Sequence, residues 1–104
     1  MFQRFVFLKL KEAWTGADAL AEVIEHSRKV LPAIPGVVEC YAGRPADEHA
    51  SKGWDMCLML RFASLEDIER YRVHPAHQEF LDSFLGPKVE AKRVWNFSMQ
   101  ELSA

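Results

Sequence analysis

Two rhythms of hydrophobic and polar positions alternate along the chain, one repeating every second residue and one every three to four, and the switches between them mark out the elements. Gln3 to Lys11, with Phe5, Val6, Phe7, Leu8 and Leu10, predicts a first strand. Thr15 stands three residues before Asp18, a capping-box-like start, and Leu20, Val23, Ile24, Ser27 and Leu31 follow at helical spacing. Pro32 and Pro35-Gly36 stop that helix. Val37 to Arg44 reads as a second strand, Pro45 to Gly53 as a polar surface loop, and Trp54 to Ala63 as the third and most apolar strand. Ser64 and Asp67 repeat the capping pattern and open a short helix through Tyr71. His74-Pro75 is a second helix start, with the helix running on to about Leu85 and ending at Gly86-Pro87. Val89 to Met99 is the last strand.

The order is βαββαβ, with the second helical region broken in two. It predicts a single α+β domain over residues 1–104, ferredoxin-like, with a four-stranded antiparallel sheet. Strand alternation then raises a packing problem. Trp54, Met56, Leu58, Leu60 and Phe62 share one side of the third strand, Phe5 and Phe7 oppose Val6, Leu8 and Leu10, and Trp95, Phe97 and Met99 oppose Val94, Asn96 and Ser98. Both faces hold large apolar groups, yet two helices cover only one. A second copy of the same face, related by a two-fold axis, is the simplest cover, so the expected partner is the protein itself as a homodimer.

Composition narrows the function classes. Lys and Arg number 13 against 15 Asp and Glu in 104 residues, for a formal charge of −2, so no basic surface for nucleic acid is expected. The apolar stretch near the N-terminus, Phe5 to Leu8, is too short for a signal peptide or a membrane span, and a cytoplasmic protein is expected. Cys40 and Cys57 lack metal-ligand spacing and read as reduced thiols. His74 and His77 form H-x-x-H without a third ligand in register, so neither metal nor cofactor is expected. His26 and His49 read as surface residues.

Several segments together resemble the stress-responsive dimeric α/β barrel (Dabb) family. They are the opening strand Arg4 to Lys11, the Ile34-Pro35-Gly36-Val37 turn, Gly53-Trp54-Asp55, and Phe62 to Ile68 followed by Tyr71-Arg72-Val73-His74-Pro75-Ala76-His77. The resemblance implies a ferredoxin-like protomer whose sheet faces that of a partner, forming a dimeric α+β barrel with a pocket in each half. The family holds plant stress proteins, uncharacterised bacterial proteins and a plant polyketide cyclase that closes its ring by aldol condensation. In that cyclase the proposed catalytic pair falls on the places of Tyr71 and His77. Where the cyclase has histidines on its first and third strands this chain has Phe5 and Met56, which makes the implied pocket more apolar.

The residues themselves fit such chemistry. A neutral His takes a proton from a carbon beside a carbonyl, and a Tyr hydroxyl donates to the developing enolate. The break at His74-Pro75 lets both point into one space, expected between the second helical region and the sheet. Phe5, Phe7, Met56, Trp95 and His74 are the expected ligand-binding residues, although Trp54, Met56, Trp95, Phe97 and Met99 read equally as core or dimer seam. Three functions stay open at this point. One is a small-molecule-binding or cyclase/lyase-type enzyme using Tyr71 and His77. Another is a non-catalytic stress protein in which both residues merely pack helix on sheet. The last, by analogy of fold alone, is a monooxygenase-like member of the wider barrel group.

Overall fold

Strand β1 (Phe2–Leu10) lies inside the sheet, hydrogen-bonded on both sides, which is where the chain needs side chains that suit two covered faces. It pairs antiparallel with β3 (Met56–Phe62) and β4 (Val89–Ser98), and β2 (Glu39–Gly43) completes the order β2-β3-β1-β4. The computed structural model describes residues 1–103, and its connectivity is the ferredoxin-like βαββαβ expected from the pattern.

Helices α1 (Ala17–Val30), α3 (Leu65–Val73) and α4 (Pro75–Glu79) cover one face. Leu8, Leu10, Met56, Leu58, Leu60 and Phe62 point to them and form the core with Val23, Ile68 and Tyr71. Leu8, Leu60 and Phe62 have no exposed surface. Tyr41, Met59, Phe5, Phe7, Trp95 and Phe97 occupy the other face, as their pairing partners across the ladders require. Among the described residues nothing covers that face: Tyr41, Trp95 and Phe97 are 55%, 47% and 53% exposed.

Local chemistry redraws several boundaries. The Thr15–Asp18 box does not form; the Thr15 hydroxyl bonds back to the Glu12 carbonyl at 2.8 Å, and α1 begins after Gly16. The segment read as a loop contains a short helix, α2 (Glu48–Gly53), because the Asp47 carboxylate accepts from the Ala50 amide and caps it. Ser64 does cap α3, accepting from the Asp67 amide at 3.0 Å. Gly36 takes a φ of +97°, with the Asp67 carbonyl 3.3 Å from where a Cβ would sit, which explains the Pro-Gly turn before β2. The Asp55 carboxylate accepts from the Leu10 amide at 2.6 Å, beside the irregular register of β1 and β4 at Lys9/Leu10. His26 is not a free surface residue: it is half-buried, its ring 3.9 Å from that of Phe84. Cys40 is opposite Leu60 while Cys57 is opposite Gly43 and Phe7, so the two thiols sit on opposite faces of the sheet, both free. Burial pushes the Cys40 thiol up to about 11.

The sheet–helix core carries the fold. Leu60→Ala removes a fully buried side chain from β3 and is expected to lower unfolding free energy by about 2–5 kcal/mol in urea denaturation. Ser64→Ala, which removes only a cap, is expected to cost about 1 kcal/mol in the same measurement.

Candidate functional site

An uninterrupted helix through residues 71–78 would use the amide of residue 75 for the Tyr71 carbonyl and that of Ala76 for the Arg72 carbonyl. Pro75 has no N–H, and the preceding His74 is held extended, at φ −63° and ψ 137°. The Tyr71 and Arg72 carbonyls and the Ala76 amide find substitutes. The His74 amide turns back to the Tyr71 carbonyl at 3.2 Å. The Ala76 amide donates to His74 Nδ1 at 3.0 Å, so His74 is the N-cap of α4. The Arg72 carbonyl accepts from His77 Nδ1 at 2.9 Å and from Gln78 Nε2 at 2.8 Å.

That last bond settles the protonation of His77. A carbonyl oxygen only accepts, so the proton sits on Nδ1 and Nε2 carries the lone pair. Burial drives the His77 pKa down, the Arg72 carbonyl pulls it part of the way back, and the Arg4, Lys92 and Arg72 charges each add a smaller downward push, so the ring is neutral at pH 7. Its ring centroid is 4.3 Å from that of Tyr71. Burial raises the Tyr71 phenol well above its ordinary range, with Arg4 partly opposing, which keeps its proton in place as a donor.

Both side chains border a cavity of about 480 Å³ between the sheet and the second helical region. Its apolar walls include Val6, Leu8, Leu58 and Val94 from the sheet and Phe80, Leu81 and Leu85 opposite. Among the described residues neither the Tyr71 hydroxyl nor His77 Nε2 has a hydrogen-bond partner, and the one sealed-off side-chain polar atom without one is Arg61 Nε. The hydroxyl and Nε2 therefore keep access to open space, and the space they share is this cavity. Its outer wall is a π-helical turn, Phe80–Leu85, closed by the Gly86 amide on the Leu81 carbonyl. A Cβ on Gly86 would lie 2.6 Å from that same carbonyl, so glycine is what lets the wide turn close.

The expected ligand-binding residues are not gathered here. Phe5, Phe7 and Trp95 belong to the opposite face of the sheet: Phe5 meets Phe97, and Phe7 meets Trp54 and Trp95, with ring centroids 5.9–6.0 Å apart. Met56 is buried on the helix side but borders a smaller hollow of about 170 Å³ beside Phe7, Trp54 and Cys57. His74 is spent on its cap. The charged β1 residue that faces the cavity is Arg4, while Phe5 faces away, because side chains alternate and Arg4 shares its side with the lining residues Val6 and Leu8. That alternation was the signal for Arg4, hidden by the apolar character of its neighbour. Among the described residues no three His, Cys, Asp or Glu side chains are grouped to hold a metal ion, and no helix is long and apolar enough to cross a membrane.

The chain belongs to the stress-responsive A/B barrel domain family, which matches residues 2–98. No curated protein sequence matches it significantly. Among solved structures it is similar to a Dabb family protein with a ferredoxin-like fold from Mesorhizobium loti, at 22% identity and a TM-score of 0.81, over 96% of this chain and 97% of that one. A dimeric ferredoxin-like protein of unknown function from Thermobifida fusca aligns at 17% identity and a TM-score of 0.79, over 94% and 90%. A hydroxynitrile lyase from Passiflora edulis aligns at 19% identity and 0.79, over 99% and 96%. At these identities the likeness is one of fold.

The depressed pKa of His77 has a consequence for stability. The unfolded chain takes up this proton at about pH 6.5, the folded chain only at lower pH. The contribution is therefore whole above about pH 6.5 and is lost as pH falls from there through the folded value. Urea denaturation is expected to show stability falling as pH drops below about 6.5, with a shallower slope in His77→Gln.

Proposed function

We propose that this family member binds a small apolar molecule in the cavity between sheet and broken helix and moves a proton on it, with His77 Nε2 as base and the Tyr71 hydroxyl as acid. One observation carries the reading: the Arg72 carbonyl holds the proton of His77 on Nδ1, leaving a neutral base beside a Tyr hydroxyl that has no protein partner. A group serving only to pack helix on sheet would not need an open cavity next to both polar atoms. Mostly apolar walls with a few convergent polar groups are the usual form of a small-molecule site. The reaction class is proton abstraction beside a carbonyl, as in cyclase- or lyase-type chemistry. A protein of similar fold from Passiflora edulis is a hydroxynitrile lyase, which supports a lyase-type reading.

The reading also includes the homodimer. Its support is the uncovered face with Tyr41, Trp95 and Phe97, and the dimeric state of similarly folded proteins such as that of Thermobifida fusca. A second copy of the same face would remove this apolar surface from water, with well over about 1,000 Å² buried in total.

Deuterium exchange at the benzylic carbon of phenylacetone, followed by proton NMR in D₂O, tests the chemistry. The protein is expected to speed exchange above the buffer rate, with His77→Gln losing about 10²-fold or more of that gain and Tyr71→Phe losing part of it. Exchange at the buffer rate, or gain retained in His77→Gln, would leave the non-catalytic reading. Sedimentation at micromolar concentration is expected to give about twice the chain mass of 12.0 kDa, and a monomer there would contradict the dimer.

A further inference from the structure

Arg4 is a cation turned inward from a central strand, half-buried at the wall of an otherwise largely apolar cavity. Its Nη1 donates to Asn96 Oδ1 at 3.0 Å, directly across the β1–β4 ladder, and that is its one side-chain hydrogen bond among the described residues. No carboxylate lies within ion-pair distance of it there. Glu69, the acid whose charge acts on it, is paired with Arg72 on α3. Asp82, Glu90 and Lys92 also border the cavity, but they are exposed on its rim and make no bond to Arg4. A guanidinium carries five N–H groups in a planar fork that matches a carboxylate in bidentate fashion. Here Asn96 fixes one arm and leaves the remaining N–H groups without a protein acceptor.

We infer that the ligand of this cavity is an apolar molecule bearing a carboxylate, which the Arg4 guanidinium receives while the ligand's apolar body lies against Val6, Leu58, Leu81 and Val94. This rests on the cavity being a small-molecule site and adds the class of ligand to it. Without a counter-ion, a half-buried cation in apolar surroundings is costly, and an incoming carboxylate supplies what the protein does not. Asn96, at the paired position on β4, is the positioning residue that aims the fork.

The test compares 4-butylbenzoate with its uncharged isostere 4-butylbenzamide, each titrated into the full-length protein by calorimetry and by ¹H–¹⁵N spectra. The carboxylate is expected to bind at least about tenfold tighter than the amide, the effect of a charge-assisted pair against a neutral one. Arg4→Met is expected to abolish the preference and Arg4→Lys to restore part of it. Equal affinities, or no saturable binding of the carboxylate up to about 10 mM, overturn the inference, as does a preference that survives Arg4→Met. The acid to amide comparison in the unmutated protein decides the matter even where a variant fails to fold. Phenylacetone is neutral, so its exchange succeeds or fails independently of this preference, and the two ideas can fall separately.

Discussion

The Arg72 carbonyl loses its helical donor at the His74-Pro75 break, and its capture by His77 is the interaction on which the site depends. One covalent fact, the missing N–H of Pro75, sets off a local re-pairing in which the side chains of His74, His77 and Gln78 replace backbone partners. The result is more than a satisfied helix end. The kink brings the His77 ring to that of Tyr71, although six residues separate them in sequence, and it fixes which nitrogen bears the proton. A straight helix would have pointed them in different directions and left the tautomer free.

The sheet supplies the opposing wall through the strict alternation of β1. Even-numbered residues from Phe2 to Leu10 face the helices, odd-numbered ones the uncovered side, and both sets are rich in apolar groups. Arg4 departs from the inward set, and its position beside the cavity gives an apolar space one strong positive pole. The π-helical turn at Phe80–Leu85, closed by Gly86 against the Leu81 carbonyl, sets Leu81 and Leu85 along the wall of that space. Central strand, kinked helix and wide turn each meet ordinary backbone requirements, and the cavity is what remains between them.

Much of this was legible in the sequence. The element order, the capping Ser64, the interruption at His74-Pro75 and the apolar surplus on two sheet faces all follow from period and from Pro and Ser chemistry, which act within a few residues. What could not be read was anything set by competition between local partners. Thr15 had a capping pattern but bonds Glu12, and Asp47 capped a helix in a stretch whose composition says loop. Hydrophobicity alone makes Phe5 and Trp95 candidate ligand walls; their distance from Tyr71 and His77 follows from which face each occupies, and that parity is certain only once strand register is known. Arg4 is hidden for the same reason, being a charged residue at a position that register turns inward.

The protonation state of His77 tests the central claim most directly. Long-range ¹H–¹⁵N correlation of the imidazole at pH 7, with His77 assigned by comparison with His77→Gln, reports which nitrogen carries the proton. The Arg72 carbonyl bond requires a neutral ring with the proton on Nδ1 and a bare Nε2. A ring protonated on Nε2 alone, or an imidazolium at that pH, would contradict it and remove the base from the site.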